Sequence, residues 1–351
     1  MTAPTVSVVM AAYNGAALIG ETLDSLWTQT FDDFEVVVVD DRSTDDTLAV
    51  LARCRDPRLR VIALDRNGGP VRARNCAYRE SRGRYIAGLD QDDLCLPARF
   101  ERQVAYLDAN PRIALAGTAA AVLEDGTIAS GIRSPVTTPR LVEWLLQIEN
   151  PLVWSTVMVR RAAVPPGDFT RPELLYAEDF DLYHRLARDG GIAQIDEPLL
   201  LYRSHGAGAS QRFVDMMQAS AARVLAETYA ADGDAEAVED ASIVARCIMR
   251  RQPVADRIEL ARLGGVLGRL QARFLATRAV DPDSRRMIKW ETALRWGRVV
   301  RHGLKAGTIT LIDAVAVRPD HLGLGYAGID TLLLSRLIGG ARSVVRRRRA
   351  A

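Results

Sequence analysis

The chain has 351 residues, 48% hydrophobic and 26% charged, which are the proportions of a globular protein with a substantial core and length for about two domains. A 6% aromatic share, 15 prolines, 26 glycines and no fixed-period repeat exclude disordered, collagen-like and repeat-array architectures. The net charge of +2 hides an asymmetry: residues 1–215 carry 23 Arg and no Lys against 30 acidic residues, and residues from 241 onward carry 22 basic against 8 acidic.

In chain order, Val6 to Ala12, Glu35 to Asp41, Arg60 to Asp65 and Arg84 to Asp90 read as strands, too short and too continuously apolar for surface helices. Between them, Leu18, Ile19, Thr22, Leu23, Leu26 and Trp27 mark one helical face, and Leu48, Val50, Leu51 and Cys54 a second. Ser43 followed by Asp46 predicts the N-terminal cap of that second helix. Strands alternating with helices predict an α/β domain with a mostly parallel sheet covered on both faces. Cys54, Cys76, Cys95 and Cys247 form no CxxC pair, so neither a zinc ribbon nor a disulfide framework is indicated, and a reducing compartment fits. No apolar run is long enough to span a bilayer, and no basic n-region opens the chain, so neither a membrane span nor a cleaved signal is expected.

Ligands of such sheets bind beyond the carboxyl ends of the strands. There the sequence places Tyr13-Asn14-Gly15, then Asp40-Asp41-Arg42-Ser43, then Asp90-Gln91-Asp92-Asp93. Any one of these carboxylates reads equally as a helix or turn cap. Together on two neighbouring edges they repel one another, and a divalent cation such as Mg²⁺ or Mn²⁺, completed by a phosphate-bearing substrate, resolves that repulsion.

Val6 to Asn14 (VSVVMAAYN), Val39 to Thr47 (VDDRSTDDT), Asn67-Gly68-Gly69 with Ala73-Arg74-Asn75, and Gly83 to Asp93, taken in this order, resemble the family 2 glycosyltransferases of GT-A fold over roughly residues 1–210. Arg42 stands where the family pattern carries glycine. The resemblance implies a Rossmann-like, mostly parallel sheet flanked by helices, here with a helical C-terminal extension. It implies a domain of residues 1–212; beyond it the residues themselves read as a basic helical region of 213–351.

The resemblance further implies a nucleotide-diphosphate sugar as donor, a UDP-sugar first among them. Ala11, Tyr13 and Asn14 would line its site, and Asp41 would accept from a base imide N–H. Arg72 and Arg74 would reach the diphosphate. Asp90-Gln91-Asp92 would be the DxD element, with Asp92 as the direct ligand of Mn²⁺ or Mg²⁺ and Asp90 as its partner. Glu178 and Asp179, at the start of a helix whose apolar face is Phe180, Tyr183, Leu186 and Ala187, resemble the ED element, with Asp179 as the base of an inverting displacement. His205, in Tyr202-Arg203-Ser204-His205, would touch the diphosphate or the metal, or serve structure. Trp154 reads as an acceptor platform or a core residue.

Beyond residue 215, Ile258, Leu260, Ala261, Leu263, Leu267, Leu270, Phe274 and Leu275 form an apolar stripe. Residues 284–305 interleave Trp290 and Trp296 with arginines, and the chain ends in Arg346 to Arg349. Such helices fit an anionic membrane surface, or a helical subdomain or homo-oligomer interface with a solvated basic outside. Nucleic acid is not expected, because no reader motif is present. The resulting expectation is a cytoplasmic enzyme, peripheral on the inner face of the cell membrane, acting on a lipid-linked or growing surface-glycan acceptor. The alternatives are a sugar-phosphate nucleotidyltransferase, which would want a Gly-rich basic loop after the first strand, and a non-catalytic nucleotide-sugar binding module.

Overall fold

The computed structural model describes residues 3–129, 137–204 and 212–319. They divide into two compact units, Met1–Glu143 with Pro151–Ser220, and Trp144–Asn150 with Ala221–Ala351.

The first unit is built on a sheet of nine strands among the described residues, ordered β3-β2-β1-β4-β8-β6-β9-β5 with β7 on β6. β1 (Val6–Ala12), β2 (Phe34–Asp40), β3 (Leu59–Ala63) and β4 (Tyr85–Gly88) are parallel, as the apolar runs predict. Beyond β4 the sheet is mixed. β8 (Met158–Arg160) is antiparallel to β4 and to β6 (Ile113–Glu124), β9 (Gly191–Arg203) is parallel to β6, and β5 (Leu94–Cys95) and β7 (Thr127–Ala129) pair antiparallel.

Helices α1 (Ile19–Trp27), α2 (Thr47–Arg53), α3 (Pro70–Glu80), α4 (Arg99–Ala109), α5 (Pro139–Leu146) and α6 (Glu178–Asp189) follow the strands. Val6, Val8, Met10, Val36 and Val38 pack with Ile19, Leu23, Leu26 and Phe100 in one fully buried cluster. At roughly 1.5–3 kcal/mol per large apolar side chain, this burial is what holds the strand ends in register. The α2 face differs from expectation: Leu51 is buried and Leu48 exposed. Asp46 is the N-cap residue, and Ser43 instead donates to Asp40 and accepts from Asn14.

A polar knot closes the opposite, amino-terminal edge of the strands. The buried Glu35 carboxylate accepts from Ser7 Oγ at 2.8 Å, from Arg82 N at 2.8 Å and from Arg82 Nη2 at 2.7 Å. Burial alone would raise the Glu35 pKa; the Arg82 and Ser7 hydrogen bonds outweigh it and bring the pKa below its ordinary value.

The second unit is helical: α7 (Val214–Ala231, from Ala221 onward), α8 (Ala237–Val244), a π-turn over 245–249, α9 (Arg257–Thr277), α10 (Pro282–Ala306) and α11 (Leu311–Ala316). Asp256, Asp281 and Thr310 cap three of these helices through their side chains, and Gly307 ends α10 in the left-handed region at φ 73°. Trp144 Nε1 and Gln271 Nε2 both donate to Thr292 Oγ1, at 3.0 and 2.7 Å, so the core of this unit is polar-keyed as well as apolar. Two expectations change here. Ile258 leaves the α9 stripe and is 79% exposed, and Trp296 is fully buried against Gly264, so of the two tryptophans only Trp290, 48% exposed, faces outward. The arginine run 346–349 lies outside the described residues.

Candidate functional site

The crevice of an open α/β sheet forms where the chain order reverses, and here that point lies between β1 and β4. Tyr13 and Asn14 leave β1 at this point, beside the end of β2. Asn14 has φ 49°, and its Oδ1 accepts from Thr44 N at 2.8 Å. Gly15 N donates to Thr47 Oγ1 and Ala16 N to Asp45 Oδ2, so the first two strand-to-helix loops are laced together. Tyr13 is 45% exposed, an open aromatic face at the strand ends, while Ala11 lies within β1.

Asp41 is 2% exposed, and its two carboxylate oxygens accept from Gly68 N at 2.8 Å and Gly69 N at 2.7 Å. Asn67 Nδ2 donates to the Asp41 carbonyl at 3.0 Å. The carboxylate expected to meet a base is therefore turned inward to hold the Asn67–Gly69 turn, from which Pro70 starts α3. Arg42 occupies the left-handed region at φ 59°. A glycine adopts this conformation without penalty and an arginine at about 1 kcal/mol, which explains how the turn keeps its shape with Arg42 in it; the Arg42 guanidinium donates to the Asp65 carbonyl. Arg72 lies partly exposed in the first turn of α3, donating to the Arg66 carbonyl at 3.4 Å.

The Asp90–Asp93 turn is fixed from three sides. Gln91 Oε1 accepts from Tyr13 N at 2.9 Å and Gln91 Nε2 donates to Tyr13 O at 3.1 Å. Thr22 Oγ1 donates to Gln91 O at 2.8 Å, and Asp90 N donates to Ser155 Oγ at 3.0 Å. From β9, Arg203 Nε donates to Asp92 O at 2.9 Å and Arg203 N to Asp93 Oδ1 at 2.9 Å. Burial pushes Asp93 up to about 8, with Asp90 and Asp92 adding to it. Asp90 is pushed up to about 6 by desolvation, against Arg74 and with Asp92 and Glu178.

Arg74, expected to reach the diphosphate, is held among acidic side chains. It is buried, stacks 4.4 Å above the Trp154 ring, and donates from Nη1 to Glu178 Oε1 at 2.5 Å and from Nη2 to Asp90 Oδ1 at 3.3 Å. Burial opposes its charge, and Glu178, Asp90 and Asp179 together outweigh burial. The guanidinium thus ties the Asp90–Asp92 turn to the start of α6. Trp154 is accordingly a core residue: a Cβ on Gly88 would lie 2.7 Å from its ring. Glu178 opens α6 and is buried; Asp179, next in the first turn, is half-buried and accepts from Phe180 N at 2.7 Å through Oδ1. Tyr183, one turn on, is fully buried, and its hydroxyl pKa is raised by burial first and by the Asp179 charge second. His205 lies outside the described residues.

Among the described residues no group of three or more His, Cys, Asp or Glu gathers to hold a metal alone. The donor chemistry nevertheless fits a hard divalent cation. Asp90 and Asp92 are oxygen donors on one turn, where burial first and the Asp92 charge with it raise the Asp90 pKa against Arg74, and a substrate's phosphate oxygens would complete the shell. In the sequence Thr22 reads only as part of a helical face, Ser155 carries no signal, and Arg203 stands in the Tyr202-Arg203-Ser204-His205 segment without a role. The Tyr202-Arg203 pattern was a signal for Arg203. Nothing local signals the other two, which act through contacts 69 and 65 residues away in sequence.

A sheet of this order, with its acidic turn beyond β4 and an acidic helix start beside it, defines the GT-A architecture of glycosyltransferases. The model of the family "Glycosyl transferase family 2" matches residues 7–165. An uncharacterized glycosyltransferase of Methanocaldococcus jannaschii is 31% identical over 209 residues, 58% of this chain and 72% of that protein. The Escherichia coli UDP-Glc:alpha-D-GlcNAc-diphosphoundecaprenol beta-1,3-glucosyltransferase WfaP is 37% identical over 103 residues, 29% of this chain and 41% of that one. The crystal structure of S. aureus TarS 1–349 with UDP-GlcNAc has the same fold at TM-score 0.58 and 20% identity, over 85% of this chain and 90% of that one. The chain belongs to the family 2 glycosyltransferases. It spans 66%, 30% and 41% of the length of three of its curated relatives.

Proposed function

We propose that this protein is an inverting, metal-dependent glycosyltransferase that moves a sugar from a nucleotide-diphosphate sugar to an acceptor hydroxyl in surface polysaccharide or glycolipid synthesis. The observation that carries the reading is the Arg74 bridge, which sets the Asp90–Asp92 turn and the Glu178–Asp179 helix start on one edge of the sheet. A UDP-sugar donor and a lipid-linked acceptor draw support from WfaP, whose name states both, and from the UDP-GlcNAc bound by TarS.

In this reading the donor's base lies against Tyr13, beside the Gly68–Gly69 turn that Asp41 holds, with Ala11 and Asn14 shaping the end of β1. Arg72 reaches the diphosphate. Mn²⁺ or Mg²⁺ held by Asp92 and Asp90 would offset the charge of the departing diphosphate. Asp179 accepts the proton of the acceptor hydroxyl as that oxygen attacks the anomeric carbon from the face opposite the diphosphate, which inverts the configuration. Glu178, ion-paired with Arg74, anchors the start of the helix that carries Asp179.

Among the described residues no helix is long and apolar enough to cross a membrane. Association with an anionic inner leaflet would rest on exposed Trp290 with Arg285, Arg286 and Lys289; a homo-oligomer interface is the other use of this surface.

The test is nucleoside-diphosphate release from a panel of UDP- and GDP-sugars, with and without Mn²⁺, followed by assignment of the product's anomeric configuration. Release from one donor and an inverted product are expected. A retained configuration overturns the mechanism, and no release from any donor with any acceptor overturns the activity.

A further inference from the structure

The helical unit contains a run of positive charge that its own carboxylates leave unbalanced. Arg298, Arg301, His302 and Lys305 stand at i, i+3, i+4 and i+7 of α10 and so share one helix face. Arg251, just past the π-turn, meets that face. Three residues on, Val254 packs against Gly303 of α10, and the Arg251 backbone holds φ 57°, a left-handed conformation that an arginine adopts only with strain. Nδ1 of His302 is buried without a partner among the described residues.

The groups around the face push in one direction. Burial lowers the His302 pKa; the Arg251 carbonyl opposes this, and Lys305, Arg251 and Arg298 lower it further. Arg298, half-buried, is lowered by burial and then by Arg251, with Arg295 and Arg301 adding and Glu149 opposing. Glu149 and Glu291 are both ion-paired to Arg295. Among the described residues Arg251, Arg298, Arg301 and Lys305 form no ion pair. Clustered cations on a helix face, with Arg251 on strained backbone beside it, store repulsion that a multiply charged anion relieves, and guanidinium forks match phosphate oxygens two at a time.

We propose that the face formed by Arg298, Arg301, His302 and Lys305 with Arg251 binds a phosphate group, carried by an anionic lipid headgroup or by a free phosphorylated molecule. This assignment does not depend on the glycosyltransferase reading, since none of these residues belongs to the sheet unit.

The test uses the full chain and two probes: inorganic phosphate by titration calorimetry, and phosphatidylcholine vesicles doped with phosphatidic acid by co-sedimentation. The double variant Arg298→Gln with Arg301→Gln should lose at least ~10-fold in affinity for whichever probe binds. Arg257→Gln with Arg278→Gln, which removes equal charge from exposed positions at the two ends of α9, should lose less than ~2-fold. Vesicle binding alone identifies a lipid headgroup; binding of inorganic phosphate that displaces the vesicles identifies the free group as sufficient. If the glutamine pair fails to fold, Arg298→Lys with Arg301→Lys keeps the charge and should still lose several-fold, because the forks are gone. Equal losses in the two glutamine pairs, no loss in the lysine pair, or no binding of either probe overturns the proposal.

Discussion

Gln91 pairs its side-chain amide with the backbone of Tyr13 in both directions, Oε1 accepting from Tyr13 N at 2.9 Å and Nε2 donating to Tyr13 O at 3.1 Å. The middle residue of an acidic turn thereby stitches the end of β1 to the end of β4 at the point where the chain order reverses. Gly15 makes this possible: a Cβ there would lie 2.2 Å from Gln91 Oε1. Gln91→Ala should leave the fold intact and weaken nucleotide binding by about 1 kcal/mol, the worth of an ordinary hydrogen bond. Gly15→Ala, which drives the amide out of place as well, should weaken it more. Calorimetric titration of nucleotide into both variants checks the order.

Asp179→Asn keeps the size of the side chain and its bond from Phe180 N but removes the proton acceptor. The chemical step should fall by ~10²-fold or more with donor affinity unchanged. Single-turnover rates set beside donor Kd separate the two effects, and a parallel loss in Kd would make Asp179 a binding residue instead.

Chelation should abolish transfer and Mn²⁺ or Mg²⁺ should restore it, with Asp92→Asn needing more metal for half-restoration. Full turnover in excess chelator would exclude the metal role of Asp90 and Asp92.

At the amino-terminal edge, far from these groups in strand register, Glu35 predicts a stability effect without a binding effect. Its folded pKa lies below its unfolded value of about 4.5. The charged form therefore adds stability above pH ~4.5, and that contribution disappears as pH falls through the lower folded pKa. Glu35→Gln should cost about 1–3 kcal/mol at pH 7, with the deficit shrinking on acidification, and should leave nucleotide affinity unchanged. Denaturant melts at pH 7 and pH 4 measure the difference.

By itself the sequence determined the alternation of buried strands and amphipathic helices, the acidic turns at the strand ends, and the placement of Glu178 and Asp179 at a helix start. These are local properties: apolar periodicity and turn chemistry act over a few residues, so a short window of sequence carries them. Tertiary structure decided what each polar side chain faces. Arg74, expected at the diphosphate, spends its guanidinium on Glu178, 104 residues away, because an arginine stacked on Trp154 and removed from water must be paired. Asp41 turns inward to two glycine amides of a loop more than two dozen residues on. Trp296, which reads as an interfacial residue among arginines, fills a core, and Trp144–Asn150 group with the helical unit although sheet-unit residues flank them on both sides. Charge pairing and core filling act between segments that only folding brings together, and no periodicity along the chain records them.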